Sequence, residues 1–399
     1  MKILQISPQV PIPYNDGGRL SIHGITNGLF KRGHEVHFLC YRKQVEKNVA
    51  IKEMGKICIP YILDVQTENN RLNAFINLFS SIPYNITKFV NKKLAIALTN
   101  VLNKNKFDLI HIDHLHMGWI IDIVREFTTA PVILREHNLE LKIMQRFAEY
   151  QSNPFLKMYA LLQSKKFLIY EPKLCEKFDK CIMISEKDEQ DLLALNSQIK
   201  TAVIPAGVES NFISGDSIGA RKIKYSLFHL GPLNWLPNLD GLNWFVNYVF
   251  PSIVDKFPQT KLFVYSKGTE IFKVPAKFSN NIIVKGFVND LWNELKDKQL
   301  GIVPLRIGSG IRLKILELLA KGHNVVSTSI GKEGIDLTDG KEIIIANTQV
   351  EFVNKILDFF KDKYIPNVLS ENGIAKIREK YTWDIIAEKF EKEYFSLLK

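Results

Sequence analysis

Short runs of apolar residues alternate along the first half of the chain with longer segments in which apolar residues recur every three or four positions. The short runs suit buried strands, and the longer period suits amphipathic helices. A helix is predicted at residues 21–33, where Ile25, Leu29 and Phe30 share one face. Strands are predicted at residues 2–7, 35–41, 109–112, 132–135, 180–184 and 202–205. This alternation predicts a parallel, doubly wound α/β sheet.

The same alternation restarts in the second half of the chain. Strands are predicted there at residues 227–230, 261–265, 282–285, 301–304, 324–327 and 342–345, with helices between them. Pro, Gly and Ser gather at residues 205–217, where we place the junction. The chain is therefore predicted to form one α/β domain at residues 1–207 and a second at 208–380. The final segment, 381–399, carries a helix long enough to cross back to the first domain.

The composition fits an enzyme-sized globular protein. Hydrophobic residues make up 46% of the 399 residues and aromatic residues 11%, which excludes a disordered or fibrous chain. No apolar run is long enough to cross a bilayer, and the first apolar stretch is too short for a signal peptide, so we expect a cytoplasmic protein. The cysteines form neither a C-x-x-C pair nor a zinc-finger spacing, which favours reduced thiols in the core.

The net charge of +11 is concentrated in the first quarter of the chain. No acidic residue lies between Glu68 and Asp108, a stretch that carries six cations among large apolar residues. This pattern suits an amphipathic surface facing an acidic membrane, a lipid-linked phosphate or nucleic acid, although a packed helix pair with a solvated basic face would look the same. The residues concerned are Arg71, Lys88, Lys92, Lys93, Lys104 and Lys106, interleaved with Phe75, Phe79, Tyr84 and Phe89.

Two loops have the composition of anion sites. Gly17 and Gly18 follow a proline-rich loop and precede a helix, although an ordinary turn would also use them. The stronger signal is residues 304–317, where a strand ends, Gly308-Ser309-Gly310-Ile311 follows, and a helix is predicted to begin near Gly310. Arg312 and Lys314 would then lie in the first helical turn, where cations are unfavourable unless an anion binds among them. A diphosphate would satisfy these groups, and Glu317 could accept hydrogen bonds from ribose hydroxyls.

Missing motifs narrow the function. The sequence has no G-x-x-x-x-G-K-[ST], and Gly308-Ser309-Gly310 lacks the third glycine of the dinucleotide motif, so a P-loop nucleotidase is excluded and a dehydrogenase is disfavoured. No D-x-D is present to hold a metal and a donor diphosphate. Serine-hydrolase and zincin motifs are also missing. Phosphate charge would then be neutralised by side chains and helix ends.

The chain resembles glycosyltransferases of the GT-B fold, family 4 type, which build bacterial surface polysaccharides and glycolipids. The resemblance runs nearly end to end, through Gly17-Gly18, Asp108-Leu-Ile-His111, Arg135-Glu136-His137-Asn138, Ile184-Ser185-Glu186, Val203-Ile-Pro-Ala-Gly207, the segment 231–240, Gly286-Phe287-Val288 and residues 308–317. It implies two Rossmann-like domains closing on a cleft, with the acceptor in the first and a UDP- or GDP-sugar mainly in the second. It also implies retention of anomeric configuration without a metal or other cofactor, and adds Gly231 and Val288 to the donor site.

The sequence departs from the family pattern in two places. The first of two glutamates spaced eight positions apart falls on Ser309, while the second is Glu317. The loop that opens the second domain, residues 232–238, lacks the Arg and Lys common in relatives. We therefore expect Arg312 and Lys314, exposed until phosphate arrives, to stabilise the departing diphosphate together with the N–H groups of Ser309, Gly310, Ile311, Gly17 and Gly18.

A cluster of histidines and one aspartate follows the strand at residues 109–112. His111, Asp113, His114 and His116 have the residue types of a metal site, but the resemblance implies none, so sugar contacts in the cleft are the preferred interpretation. Asp113 and His137 are the candidates for hydrogen bonds to sugar hydroxyls. A buried polar pair that braces the loop is the alternative for each.

Two other function classes stay open. One is a further enzyme on the same fold, of which a nucleotide-sugar epimerase fits better than a glycogen-type phosphorylase, because the chain is short and has no recognisable pyridoxal-binding site. The other is a basic nucleic-acid-binding protein, which rests on the charge of residues 1–107 alone, since no nucleic-acid-binding motif is present. The preferred prediction is a retaining glycosyltransferase that uses a lipid-linked or glycan acceptor at the inner face of the plasma membrane.

Overall fold

The structure, a computed structural model, describes residues 1–14, 17–42, 45–65, 67–151, 153–308 and 310–398. It divides into two compact units. Unit 1 consists of Met1–Ala206 together with Trp383–Lys399, and unit 2 consists of Gly207–Thr382. Each unit is an α/β domain built on one parallel sheet.

Unit 1 has, within the described residues, a seven-stranded parallel sheet in the order β3-β2-β1-β4-β5-β6-β7. This is the strand order of a Rossmann sheet extended by one strand. Its strands are β1 (Lys2–Ser7), β2 (Glu35–Tyr41), β3 (Ile59–Leu63), β4 (Leu109–Asp113), β5 (Val132–Arg135), β6 (Lys180–Met183) and β7 (Thr201–Val203).

Helices connect these strands, as parallel pairing requires. They are α1 (Gly17–Lys31), α2 (Lys47–Met54), α3 (Arg71–Ile76), α4 (Tyr84–Thr87), α5 (Lys92–Lys104), α6 (Ile121–Phe127), α7 (Glu140–Tyr150), α8 (Pro154–Cys175) and α9 (Glu186–Leu195). Two 3₁₀ turns, Asn77–Phe79 and Leu115–Ile120, follow α3 and β4.

Unit 2 repeats the architecture with six described strands in the order β10-β9-β8-β11-β12-β13. They are β8 (Ile223–Leu230), β9 (Lys261–Tyr265), β10 (Ile282–Gly286), β11 (Lys298–Val303), β12 (Asn324–Ser327) and β13 (Ile344–Ile345). The helices are α10 (Leu236–Trp244), α11 (Phe250–Lys256), α12 (Leu291–Leu295), α13 (Leu313–Ala320), α14 (Gln349–Phe360) and α15 (Pro366–Lys380), and the chain ends in α16 (Trp383–Leu397), which belongs to unit 1.

Helix α16 is fixed to unit 1 by close packing on α1. Gly24 and Gly28 of α1 leave space for the Trp383 ring and for Ala387, since a Cβ at Gly28 would lie 2.6 Å from the Ala387 Cβ. Further along α16, the Tyr394 hydroxyl lies 2.6 Å from Nδ1 of His111 on β4. The last helix therefore braces the central strands of unit 1.

The fold-class prediction of two Rossmann-like α/β domains is confirmed, and every predicted strand is present within a few residues of its predicted bounds. One strand was missed, β3. It lies at the edge of the sheet, contains Pro60 and leaves Ile59 45% exposed, so it lacks the buried apolar signature of the others. The thiols of Cys40, Cys175 and Cys181 are buried and that of Cys58 is half-buried.

Two predicted helix starts were wrong. Helix α1 begins at Gly17 instead of residue 21, and α13 begins at Leu313 instead of near Gly310. The second difference has a local cause, because Gly308 and Gly310 have φ values of 140° and 78°, which a right-handed helix does not use. The loop before α13 is accordingly longer than expected.

The strand order also fixes where ligands can bind. In such sheets the connections diverge to opposite sides at the point where the order reverses, and a crevice opens there beyond the carboxyl ends of the strands. In unit 1 that point lies between β1 and β4, and in unit 2 between β8 and β11. Most of the sequence-predicted site residues follow one of these four strands.

Candidate active site

The loop between β11 and α13 forms the centre of the candidate site in unit 2. Gly308 has a φ of 140°, and a Cβ at this position would overlap the guanidinium of Arg312. Glycine is therefore needed both for the backbone conformation and for the space that Arg312 occupies. Ser309, predicted to bind the donor, lies outside the described residues.

Arg312 is buried, contrary to the expectation that it is exposed before phosphate binds. Its side chain is 8% exposed, its Nη1 donates to the Gly310 carbonyl at 3.1 Å, and its guanidinium lies 5.5 Å from the centre of the Trp235 ring. It is the N-cap residue of α13 and not part of its first turn. The guanidinium thus shapes the loop, which keeps the backbone N–H groups at the helix start in one geometry.

Lys314 is half-buried and also differs from the expected exposed cation. Its ammonium donates to the side-chain oxygen of Asn238 at 2.7 Å and to the Leu230 carbonyl at 3.1 Å. Burial, and then the charge of Arg312, lower the pKa of Lys314 to about 7. A Cβ at Gly231, whose φ is 138°, would lie 3.2 Å from the ammonium. Lys314 therefore brings a cation to the segment at residues 231–238, which has none of its own.

Glu317 lies one turn further along α13 and is half-buried. Burial raises the pKa of Glu317 to about 7. Within the described part of the chain its carboxyl group has no hydrogen-bond or ion-pair partner. A partly buried carboxyl group of this kind is suited to a ligand with hydroxyl donors.

Arg306 is the third cation of this loop, and an acidic residue engages it. Its Nε and Nη2 donate to the two oxygens of Asp240 on α10 at 2.9 and 2.7 Å. This bidentate pair ties the loop after β11 to α10. We accordingly leave Arg306 out of the candidate donor site.

The other predicted donor residues of unit 2 lie at the same edge of the sheet. Gly231 directly follows β8, and Val288 follows β10 after Gly286, whose φ is 69°. Phe287 between them is 65% exposed, and the Lys267 ammonium lies 4.5 Å from the centre of its ring. The tertiary structure thus gathers Gly231, Val288, Gly310, Ile311 and Lys314 along the carboxyl edge of one sheet.

In unit 1, Asp113 is the centre of a buried polar cluster. Its side chain is 0% exposed and accepts a hydrogen bond from Gln5 Nε2 at 2.6 Å. Imidazole nitrogens of His111 and His137 lie 3.3 and 3.5 Å from its carboxylate, and the Arg135 guanidinium lies at 3.7 Å. Burial opposes ionisation, but these cationic and hydrogen-bonding neighbours outweigh it and hold the pKa of Asp113 well below its usual range.

This enclosure changes the interpretation of Asp113. Because Asp113 has no exposed surface, it cannot contact a sugar directly. It braces the loop, which was the alternative interpretation from the sequence, and it positions the neighbouring side chains. His137 has the better access to a ligand, with 8% of its surface exposed, and Arg135 Nη1 lies 3.1 Å from its Nε2. Burial, and then the neighbouring Arg135, lower the pKa of His137 to about 4, so its imidazole is neutral near pH 7.

His114 is a part of this cluster to which the sequence analysis gave no separate role. Its ring stacks on that of His137 with centroids 3.6 Å apart and planes 11° apart. Its φ of 67° is uncommon for a residue with a Cβ, and its Nε2 is buried without a hydrogen-bond partner in the described structure. Only the unusual backbone turn brings the two rings together, and sequence spacing carries no signal of it.

The first loop of unit 1 is partly described. Gly17 and Gly18 open α1, with Gly17 exposed, so their N–H groups lie in the first turn of the helix. The next residue, Arg19, is buried, and its Nη1 lies 3.5 Å from the Pro13 carbonyl. The glycine pair therefore stays a candidate anion site at the carboxyl end of β1.

The predicted basic surface is exposed only in part. Arg71, Lys92, Lys93, Lys104 and Lys106 are exposed, and Lys88 is half-buried. Among the aromatic residues, Phe75 and Phe79 are 61% and 86% exposed, whereas Tyr84 and Phe89 are each 7% exposed. The prediction that all four rings face outward was therefore wrong for Tyr84 and Phe89, which pack into unit 1 around α4.

The described residues contain no group of three or more His, Cys, Asp or Glu side chains arranged to hold a metal ion. They also contain no helix with the length and apolar character needed to span a membrane. The metal-independence of the reaction stays a prediction.

Comparison with known proteins identifies relatives of both halves of the chain. A family model described as Glycosyltransferase Family 4 matches residues 16–212, and one described as Glycosyl transferases group 1 matches residues 224–362. A Klebsiella pneumoniae protein, named as an uncharacterized 44.6 kDa protein in cps region, is 25% identical over 399 residues, covering 95% of this chain and 96% of its own.

Solved structures share the fold over the whole chain. Sucrose-phosphate synthase from Thermosynechococcus elongatus has a TM-score of 0.71 at 14% identity, covering 100% of this chain and 99% of its own. Anabaena HepE, solved in complex with UDP, has a TM-score of 0.66 at 14% identity, with 99% and 100% covered. At this level of identity the likeness concerns the fold alone.

Proposed function

The chain belongs to the family 4 type of glycosyltransferases, and on that premise we propose that it moves a sugar from a UDP- or GDP-sugar to a lipid-linked or glycan acceptor. The assignment of the donor site depends on one observation: the ammonium of Lys314 on α13 hydrogen-bonds Asn238 at 2.7 Å, in the segment that opens unit 2. That segment lacks cations of its own, so Lys314 supplies the positive charge there.

The donor diphosphate binds, in this proposal, between the start of α13 and Gly231. Lys314 and Arg312 provide charge, and the N–H groups of Gly310 and Ile311 provide hydrogen bonds at the positive end of the helix dipole. A bound diphosphate would either replace Asn238 as the hydrogen-bond acceptor of the Lys314 ammonium or accept a further hydrogen bond from it. Glu317 accepts hydrogen bonds from the ribose, and the backbone around Val288 borders the base.

A contact with a sugar hydroxyl is assigned to the cluster in unit 1. His137 is neutral and offers an imidazole nitrogen to a sugar hydroxyl, while Asp113 and Arg135 fix its orientation from behind. Because Ser309 replaces the glutamate found in relatives, one carboxylate contact to the donor sugar is lost. Donor identity therefore does not transfer from relatives to this chain.

The chemistry we propose is a metal-independent transfer with retention. The bond between the anomeric carbon and the diphosphate oxygen breaks while the acceptor oxygen attacks from the same face. The departing phosphate oxygen takes the acceptor proton, so no protein base is needed. Lys314 and Arg312 stabilise the charge on the departing diphosphate, which is where preorganised electrostatics contribute most.

The acceptor is proposed to be a lipid-linked or otherwise anionic glycan precursor at a membrane surface. Support comes from the exposed cations Arg71, Lys92 and Lys93 in an acid-free stretch, and from the relative named for a cps region. Each cation near anionic lipid contributes about 1 kcal/mol, and salt screens the attraction within about 8 to 10 Å. Binding would be peripheral and reversible by salt.

The test combines binding and turnover. A panel of UDP- and GDP-sugars is screened by thermal shift, since a ligand at 100 times its Kd adds about 2.7 kcal/mol of stability. The stabilising donor is then incubated with membrane lipids, and products are separated by mass. Sugar transferred to lipid supports the proposal. Conversion of the donor without any acceptor would identify an epimerase instead, and stabilisation by none of the donors would overturn the donor assignment.

A further inference from the structure

A groove of about 270 Å³ lies in unit 1 between α3, α7 and α8. Its walls include Ala74 of α3, Met144 and Phe147 of α7, and Leu156 and Tyr159 of α8. Arg71, Asn69 and Asn70 also line it. The groove thus combines apolar walls with a cation, which suits a hydrocarbon chain carrying a negative charge.

The rim of the groove is unusually apolar for a surface. On α3 and the 3₁₀ turn after it, next to the lining residue Ala74, Phe75 and Phe79 are 61% and 86% exposed, and their rings pack edge to face at 6.2 Å. On the other wall Phe155 and Met158 of α8 are 77% and 57% exposed. Exposed patches of this kind mark sites of interaction with membranes or other apolar partners.

The positive charge around this rim favours an anionic partner. No acidic residue occurs between Glu68 and Asp108, and none between Glu149 and Glu171, so α3 and the exposed length of α8 carry no carboxylate. On the α7 wall, Glu149 is exposed near the C-terminal end of the helix. Glu171 itself is fully buried and accepts the backbone N–H groups of Glu140 and Leu141 at 2.8 and 2.9 Å. The exposed Lys157 and Lys165 add positive charge to the α8 wall.

The groove adjoins the candidate sugar site. Asn85 of α4 lines it, and α4 packs against the 3₁₀ turn Leu115–Ile120, which begins directly after His114. From this turn, Nε2 of His116 lies 3.5 Å from the carboxylate of Glu140 at the start of α7. A ligand in the groove would therefore have one end beside α4, on the side of the candidate sugar site, and its apolar end at the rim.

We propose that this groove binds the hydrocarbon chain of a phosphorylated lipid, the carrier of the acceptor, while Phe75, Phe79, Phe155 and Met158 rest in the apolar boundary of the bilayer. The inference rests on the proposed function, since it names the part of the acceptor that unit 1 holds. The groove is near the lower limit of small-molecule sites, so it takes one segment of the chain, and the remainder lies along the exposed face of α8.

The first test uses farnesyl phosphate as the probe and the full-length protein. Ala74→Trp fills the groove, and Ala95→Trp places the same side chain at a half-buried alanine of α5 as the matched control. We expect farnesyl phosphate to bind wild type and the control equally and to bind Ala74→Trp at least tenfold more weakly, with circular dichroism unchanged. Equal binding by all three proteins, or binding by none, overturns the inference.

A second arm separates the lipid chain from its charge. Farnesol and inorganic phosphate should each bind wild type much more weakly than farnesyl phosphate, because the groove and the cations act together. Flotation with anionic vesicles should be lost in Phe75→Ser/Phe79→Ser and retained in Ile96→Ser, whose parent side chain is 63% exposed on α5. Equal flotation of the two variants would contradict the role of the rim.

The outcomes also separate this inference from the proposed function. UDP binding is assigned to unit 2 and should be the same in every variant above. If wild type transfers sugar but fails to bind farnesyl phosphate, the groove assignment fails and the glycosyltransferase proposal stands. If sedimentation shows a dimer that Phe75→Ser/Phe79→Ser dissociates, without any lipid binding, the surface is a contact between copies of this chain and the inference is wrong.

Discussion

The Lys314 ammonium lies 2.7 Å from the side-chain oxygen of Asn238, although the two residues are 76 positions apart in sequence. Lys314 comes from the helix after β11, and Asn238 from the helix after β8. These are the two strands at which the order of the sheet reverses, so the pair lies where this architecture binds ligands. The candidate donor site therefore rests on a long-range contact and not on a local motif.

Replacing Lys314 should weaken nucleotide binding without unfolding the protein. Lys314→Met keeps the length of the side chain and removes its charge, and a charge-assisted hydrogen bond contributes about 1.5 to 3 kcal/mol, so the Kd for UDP should rise about tenfold to a hundredfold. Isothermal titration calorimetry measures this directly. Lys341→Met, at an exposed lysine of unit 2, serves as the control. An unchanged Kd in Lys314→Met would remove Lys314 from the diphosphate site.

Nucleotide binding should take up a proton above neutral pH. The pKa of Lys314 is about 7 in the free protein, so at pH 8.5 the amine is mostly neutral, and a bound diphosphate raises its pKa and draws in a proton. Calorimetry in buffers of different ionisation enthalpy should report uptake approaching one proton for wild type. Lys314→Arg stays charged and should show none. Equal uptake by both proteins would assign the proton to another group.

Glu317→Gln should change stability and affinity in opposite directions. Burial raises the pKa of Glu317 from 4.5 to about 7, so its contribution to stability is present at low pH and is lost as the pH rises through 7. The amide avoids this loss, and the variant should melt higher than wild type at pH 8 but not at pH 4. Its affinity for UDP should fall by about 1 to 3 kcal/mol, because it no longer offers a charged acceptor to ribose. Unchanged affinity would leave Glu317 as a structural residue alone.

Gly308→Ala should disturb Arg312 beyond the effect of backbone strain. A Cβ at Gly308 overlaps the Arg312 guanidinium, whereas Gly340 has a φ of 76° and nothing within 4 Å of its would-be Cβ. Both alanine variants should lose about 1 to 3 kcal/mol of stability because alanine is strained at a positive φ. Only Gly308→Ala should also weaken UDP binding, as seen in parallel titrations. Equal affinities of the two variants would show that the position of Arg312 does not matter for the donor.

Replacing Asp113 should mainly lower stability, whereas replacing His137 should mainly lower activity. Asp113→Asn removes the negative charge beside the buried Arg135 and should cost about 3 to 5 kcal/mol of stability, as when one partner of a buried ion pair is lost. His137→Ala removes a buried ring that stacks on His114, but it leaves the Asp113–Arg135 pair in place, so it should destabilise the protein less than Asp113→Asn does. It should also lower kcat/KM, with UDP affinity unchanged. Urea denaturation and steady-state kinetics give the two readouts. Full activity of His137→Ala would exclude a contact with the sugar.

The alternation of apolar runs was enough to predict two parallel α/β domains, because strand and helix periodicities are local and each buried strand shows its own signature. It failed at β3, an edge strand whose half-exposed residues carry a weak signature. The loop and helix at residues 304–317 were also visible in the sequence, since the glycines, cations and glutamate that define them are neighbours in the chain.

The burial of the site residues depended on the tertiary structure. The sequence placed Arg312, Lys314 and Asp113 in loops or at helix starts, where side chains are usually exposed. In the structure Arg312 is buried beside Trp235, and Lys314 is half-buried against Asn238. Asp113 is fully buried at the centre of the unit 1 sheet. Their neighbours come from strands and helices far away in the chain, and only the crossover order of the sheet brings those elements together. For the same reason the sequence located the cations and aromatic residues at 71–93, but only the tertiary structure, in which Gln163 of α8 donates to Asn77 just after α3, decided which of them line a groove and which are buried.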